Sequence, residues 1–343
     1  MIYPKSLEKD YLIGVTATSA GCDGEVDLVR LESGINHFKE LGYSVEVTKN
    51  VRTISQKGRS SDARTRAKEL EELFLKVGVR AVIAYNGGDY LVEMLSFVDF
   101  NLIKANPKWV QGYSDTTGLT FILTTNCDIA TLYAENFSSF GMKNWHYSLE
   151  NNIKILEGQD LLQESFSEYQ DAYHERITGY EEYFLDTKVQ WENLYPANAE
   201  KTDEINMQGR ALVGCLDVIL CLIGTRFDKM KEFIEKYKSD KILWFLESFD
   251  LSSESLTRGL WQLKEAGWFE HAAGFVFGRP AMYRSDYDIT YEDAVLSVLG
   301  ELDLPIILEA DFGHKPPQFT MMNGAIAHIH SKEGTGSITF ERR

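Results

Sequence analysis

Over its first 140 residues the chain alternates short β-rich runs with amphipathic stretches. That pitch permits little besides a parallel sheet with helices on both faces. YLIGVTAT (11–18) reads as a strand, and EVDLVRLESGINHFKELG places Val26, Val29, Ile35, Phe38 and Leu41 at near-helical spacing before Gly42 stops the helix. YSVEVTK (43–49) alternates as a strand, and SSDARTRAKELEELFLKVG reads as a helix capped by Ser61 or Asp62. RAVIAYNGG (80–88) is a buried strand ending in glycines. Residues 89–98 are expected to be helical, WVQGYS (109–114) to be a strand, and TTGLTFILTTN to continue as a helix.

The pattern loosens from about 143 to 207 and then resumes. RALVGCLDVILCLIG is apolar and glycine-punctuated, and KILWFLES (241–248) is a strand. SSESLTRGLWQLKEAG is a helix capped by Ser252 or Ser253 and stopped by Gly267. AGFVFGR (273–279) is a strand, TYEDAVLSVLGEL (290–302) a helix and PIILEADFGH a strand, while AIAHIH (325–330) and GSITF (336–340) suggest a closing hairpin. The expected organisation is therefore an α/β domain over 1–145, a linker or loop over 146–207, and a second α/β domain over 208–343.

Charge narrows the function classes. Lys+Arg number 35 and Asp+Glu 52, a net of −17, so the chain should repel phosphate backbones and anionic lipid. Neither nucleic acid nor membrane is an expected partner. Residues 157–207 hold 13 acidic and 3 basic side chains, 3 − 13 = −10 of that total. They also hold Phe166, Tyr169, Tyr173, Tyr180, Tyr183, Phe184, Trp191 and Tyr195. Aromatics in loops often line binding sites, so this stretch reads as a substrate-facing loop with Trp191 stacked on substrate. The competing reading is a solvated connector whose aromatics pack down on the domains. Four cysteines, Cys22, Cys127, Cys215 and Cys221, form no C-x-x-C pair, which fits buried thiols and a cytoplasmic protein.

Walker A, G-x-G-x-x-G and H-E-x-x-H patterns are absent. His328 and His330 share a strand face but have no obvious third ligand, so an exposed face is the expectation and no metal site is assigned. The sharpest local feature is VQGYSDTTGL, where a strand ends, Ser114 sits at the corner and a helix begins. Such a corner projects Oγ and aims the first helical N–H groups at developing negative charge. The competing reading is that Ser114 or Asp115 simply caps the helix, as such residues commonly do. A serine nucleophile needs a base, and His314, in ADFGHKPPQFT after a buried-looking strand, stands out among seven histidines. A carboxylate must orient the imidazole, and Glu247, Asp250, Glu309 and Asp311 compete for that place. Asn86-Gly87-Gly88-Asp89 ends another buried strand, where glycines let backbone N–H groups approach a ligand; Gly87 and Asp89 are candidate substrate contacts.

Together these residues resemble the serine peptidase family of the LD-carboxypeptidases and the microcin C immunity protein, and G-G-D at 87–89 with the long acidic, aromatic stretch before 208 resembles the microcin-immunity branch more than the shorter cell-wall enzymes. NGGDYLVEMLSFVDFNLIKANPKWVQGYSDTTGL is similar to that family's G-G-D…L-D…N-P-K-x-x-x-G-Y-S-D-[IT]-T segment. ILWFLESFDLSSESLTRGLWQLKEAG and EADFGHKPPQFTMMNGAIAHI resemble its two later segments, in order. The resemblance implies a Ser–Glu–His triad on Ser114, Glu247 and His314 and an oxyanion hole from the backbone N–H groups of Gly88 and Asp115. It further implies an N-terminal flavodoxin-like parallel-sheet domain, a C-terminal α/β domain carrying the other two triad residues, a homodimer, and no cofactor. Two departures stand out. Cys215 occupies the place of the Asn in the family's G-G-N-L, and Ala134-Glu135 replaces its small G-P turn. The implied substrates are a small peptide, such as a muropeptide tetrapeptide losing terminal D-Ala, or a peptidyl or aminoacyl nucleotide. A non-catalytic small-molecule-binding protein on the same fold is the reading from another class.

Overall fold

A computed structural model describes residues 1–22, 24–53, 57–196 and 200–343, with the side chains of residues 200 and 201 left out. Residues 197–199 of the acidic stretch lie outside the described residues. The chain divides into two compact units. Unit 1 is 1–159 with 173–184, and unit 2 is 160–172 with 185–343.

Unit 1 runs β1 (Leu12–Thr16), α1 (Glu25–Glu40), β2 (Ser44–Val47), α2 (Ala63–Leu75), β3 (Val79–Ala84), α3 (Phe100–Ala105), β4 (Trp109–Gln111), α4 (Thr117–Cys127), β5 (Thr131–Tyr133) and α5 (Tyr147–Leu156). Its strands lie in the order β5-β4-β3-β1-β2, every pair parallel: the alternation predicts the parallel sheet, and the order is the flavodoxin-like one that the resemblance implies. Local chemistry sets the helix starts: the Asp62 carboxylate accepts from the N–H groups of Arg64 and Thr65 and so satisfies orphan donors of α2. Residues 89–98 depart from the expected helix and form two 3-10 turns, Leu91–Glu93 and Leu95–Phe97. The cause is long-range. Tyr90 N–H donates to Ser19 Oγ (3.1 Å) and Leu91 N–H to the Asp115 carboxylate (2.9 Å). Fully buried Arg66 clamps the same loop by donating to the carbonyls of Thr18 and Tyr90, both at 2.9 Å, and to Glu93 at 2.8 Å.

Unit 2 runs β6 (Gln163–Glu164), β7 (Glu168–Tyr169), β8 (Thr187–Lys188), β9 (Glu192–Tyr195), β10 (Glu200–Lys201), β11 (Glu204–Cys215), α6 (Leu216–Ile219) and α7 (Met230–Tyr237). It continues through β12 (Ile242–Glu247), α8 (Ser253–Glu265), β13 (Ala272–Gly278), α9 (Tyr291–Leu299), β14 (Ile306–Ala310), β15 (Met321–Asn323), β16 (Ile326–Lys332) and β17 (Thr335–Glu341). Nine of these strands form a mixed sheet in the order β10-β9-β14-β13-β12-β11-β16-β17-β6, while β7 and β8 pair separately. The four central strands β11 to β14 are parallel, with antiparallel strands added at both sides. Parallel strands covered on both faces read as continuous apolar runs, and β12, Ile-Leu-Trp-Phe-Leu-Glu, is buried at every residue. The closing hairpin turns through Glu333 (φ +50°) and Gly334 (φ +82°), the two positive angles a tight turn between twisted strands requires. Among the described residues, no helix is long and apolar enough to cross a membrane.

The acidic aromatic stretch is not a single loop. It contains the short strands β6 to β10, and its residues are shared between the units. Trp191 in particular is corrected. It is 2% exposed inside unit 2, and its indole N–H donates to Asp311 Oδ2 at 3.0 Å. Its ring lies edge-on to Phe319 (6.1 Å) and fills the space a Cβ at Gly336 would need. An indole held this way has no open face for a substrate. Trp191→Ala should therefore cost about 3–5 kcal/mol of stability and leave the buried Asp311 short of a donor. Denaturant unfolding would measure that loss, and activities on nucleotide-bearing and plain peptide substrates should fall together.

Candidate active site

The nucleophile corner is built in unit 1. β4 ends at Gln111, and Ser114 opens a 3-10 turn, Ser114–Thr116, that leads into α4. Ser114 itself sits at φ +61°, a strained angle for a residue with a Cβ and a common device for projecting a side chain from a strand–helix corner. Tyr113 N–H donates to Asn136 Oδ1 (3.3 Å), which steadies the corner from the residues after β5.

The glycine turn after β3 lies against this serine. A Cβ at Gly87 would stand 2.9 Å from both Ser114 Cβ and Ser114 Oγ, and 3.6 Å from Asp115 N. Gly88 (φ +139°) is exposed, as is Asp89. At Gly88 a Cβ would meet Ser19 Oγ and Ala20 N. Asp115 is buried, and its carboxylate takes the Leu91 N–H, tying the glycine loop to the serine turn. Burial pushes the Asp115 carboxyl above the usual range, against the opposing pull of the Ser19 hydroxyl and the Leu91 N–H. Gly87→Ala should accordingly push the Ser114 side chain aside while keeping the backbone angle. We expect activity to fall about 100-fold, the scale of a 1 Å misplacement. Specificity constants measured beside melting temperature would check it, with little change expected in the latter.

The second group of residues lies in unit 2. Glu247, the last residue of β12, is fully buried, and its Oε2 is 2.8 Å from His314 Nδ1. An ionised carboxylate can only accept, so that contact places the proton on Nδ1 and leaves Nε2 as the basic nitrogen. Gly313 (φ +106°) lets the chain pass Glu247 closely, since a Cβ there would lie 3.0 Å from Oε2. The Phe249 ring packs against the imidazole, with centroids 4.7 Å apart.

The other carboxylate candidates are engaged elsewhere. Asp250 pairs with Arg284 on the surface, and Asp311 is buried with Arg279 and the Trp191 indole. Glu309 has its carboxyl raised by burial, eased by the charges of Arg279 and Lys315. His328 and His330 lie half-exposed on β16, with Glu341 3.6 Å from the first and Glu204 2.8 Å from the second. Cys215, the last residue of β11, stands in register beside Glu247. Burial, reinforced by the nearby Glu247 charge, holds its thiol far above the ordinary range. Glu135 of the Ala134-Glu135 departure is buried and accepts from Ser139 Oγ (2.6 Å) and Tyr183 OH (2.7 Å).

Sequence reasoning missed two supports. Asn136 accepts the Tyr113 N–H at the serine corner. Asp217 accepts from the N–H groups of Phe249 (2.9 Å) and Asp250 (3.0 Å), and so holds the chain just after Glu247. Nothing local marks either residue, because their partners are 23 and more than 30 positions away.

Comparison with known proteins places the chain in a family. Residues 13–134 match the LD-carboxypeptidase N-terminal domain, and residues 208–329 match the LD-carboxypeptidase C-terminal domain. The "Probable murein peptide carboxypeptidase" of Bacillus subtilis (strain 168) is 25% identical over 339 residues, covering 98% of this chain and 93% of that protein. The microcin C7 self-immunity protein MccF of Escherichia coli is 26% identical over 290 residues, covering 82% of this chain and 80% of its own. The solved structure of an MccF mutant in complex with adenosine monophosphate has the same fold, with a TM-score of 0.83 at 20% identity, covering 100% of this chain and 99% of that one. The chain belongs to the LD-carboxypeptidase family of serine peptidases, the family that also includes the microcin immunity proteins.

Proposed function

We propose that the protein hydrolyses amide bonds by acyl transfer, with Ser114 as nucleophile, His314 as base and then acid, and Glu247 holding the imidazole. The observation that carries this reading is the 2.8 Å contact between His314 Nδ1 and the fully buried Glu247 carboxylate. It leaves His314 with a basic Nε2. His314 takes the Ser114 proton as Oγ attacks the carbonyl, and Glu247 stabilises the imidazolium that results. The tetrahedral oxyanion is received by the N–H groups of Gly88 and Asp115. His314 then protonates the departing amine, and water repeats the sequence on the acyl-enzyme. Each of these steps is supplied by side chains and backbone, without a cofactor.

The substrate proposed first is a murein tetrapeptide, cut to release its terminal D-Ala. Similarity along 98% of the chain to a relative named for murein peptide supports it. The second reading is a peptidyl or aminoacyl nucleotide, supported by the fold shared with a protein solved with adenosine monophosphate. On either reading the working form is a cytoplasmic homodimer. The test is a mass-spectrometric digest of a muropeptide beside an aminoacyl-sulfamoyl adenylate, with a serine-reactive phosphonate as label. Loss of D-Ala with labelling at Ser114 supports the first reading. Cleavage of the adenylate alone supports the second, and no labelling with no cleavage removes both.

A further inference from the structure

The departure at Cys215 changes what the His314 environment can bind. Cys215 Sγ, a Glu247 carboxylate oxygen and a His314 ring nitrogen lie within 4.8 Å of one another. Cys215 and Glu247 are buried, and His314 is 11% exposed, which leaves a way in for a small ion. Thiolate, imidazole and carboxylate are the donors zinc uses, and three protein ligands with an open fourth position make a complete tetrahedral set. Bond lengths of roughly 2.0–2.3 Å put donors on one ion about 3.5 Å apart, so closing on a metal needs only side-chain adjustment. The supports are already present: Cys215 Sγ lies 3.4 Å from Asp217 Oδ2, and Gly313 packs on Glu247. A thiolate in the set selects against magnesium and calcium.

We propose that Cys215, Glu247 and His314 form a site for a thiophilic divalent cation of the zinc class, and that an ion bound there inhibits the enzyme. Binding replaces the thiol proton: Cys215–SH plus the divalent ion gives the metal thiolate and one released proton, so affinity rises with pH. The inhibition rests on the role proposed above for His314. A metal on one nitrogen of a neutral imidazole leaves the other carrying the hydrogen, and that nitrogen can no longer accept the serine proton.

The test titrates metal-free, full-length protein with Co²⁺, reading the near-ultraviolet thiolate-to-cobalt band, then displaces it with Zn²⁺. Wild type should show the band at one equivalent. Cys215→Ser should lose it and bind Zn²⁺ more than about ten-fold more weakly. Cys221→Ser, which removes the exposed thiol, should keep it. Should Cys215→Ser fail to give a folded far-ultraviolet spectrum, Cys215→Ala serves for the same comparison. No band in wild type, or a band that survives loss of Cys215, overturns the site. Zn²⁺ should also inhibit hydrolysis by wild type, reversibly with chelator, and inhibit Cys215→Ser less. A band at Cys215 without inhibition keeps the ion site and instead overturns His314 as the base.

Discussion

Ser114→Ala should lower turnover by roughly 10⁴–10⁶-fold with the fold intact, because members of a catalytic unit fail together when one is removed. The structural basis for an intact fold is local. Ser114 is only half-buried, and alanine has no harder time at φ +61° than serine. The change in unfolding free energy should stay within about 1 kcal/mol. Circular dichroism, melting temperature and turnover on one preparation decide the matter. A variant that keeps wild-type turnover would reduce the corner to an ordinary helix start.

Glu247→Gln is the second large expectation, a fall in kcat of about 10³–10⁴-fold. Glutamine keeps the volume packed beneath Gly278 and Gly313, so the loss should be chemical and not a matter of packing. An amide facing Nδ1 offers hydrogens as readily as a carbonyl oxygen. It therefore permits the tautomer with hydrogen on Nε2, and it cannot stabilise an imidazolium. Melting temperature should move far less than kcat. A kcat within ten-fold of wild type would leave Glu247 as a packing residue.

How much of this was legible depended on the range of the interactions involved. The alternation that set the parallel sheet of unit 1 is local, and so are the caps at Asp62 and Ser252; each was readable from neighbours in the chain. The run at 89–98 has helical spacing, yet Asp115 and Ser19 take its leading N–H groups from 24 and 71 positions away. Trp191 carried no local mark of burial, because Asp311, Phe319 and Gly336 reach it only after the sheet has formed. Choosing Glu247 over Asp250 and Asp311 rested on motif order alone. Geometry distinguishes them, because each competitor faces an arginine.

The buried guanidinium of Arg30 donates to the carbonyl of Ser138 at 2.6 Å, and also to those of Gly179 (3.2 Å) and Glu181 (3.0 Å). Tyr183 brings its hydroxyl to buried Glu135 from the same segment. Residues 173–184 thus complete the first unit, although residues 160–172 of the second come before them in the chain. On a ribosome, Arg30 waits for two of its three carbonyl partners until residue 181 has emerged. By then β6 has been synthesised too, and its partner β17 lies about 170 residues further on. Strand 163–164 is thus left unpaired through nearly half of translation, and contacts of that separation are slow to close. A contiguous fragment ending at 159 would lack two of Arg30's three carbonyl acceptors, so the first unit is complete only with residues 173–184 attached.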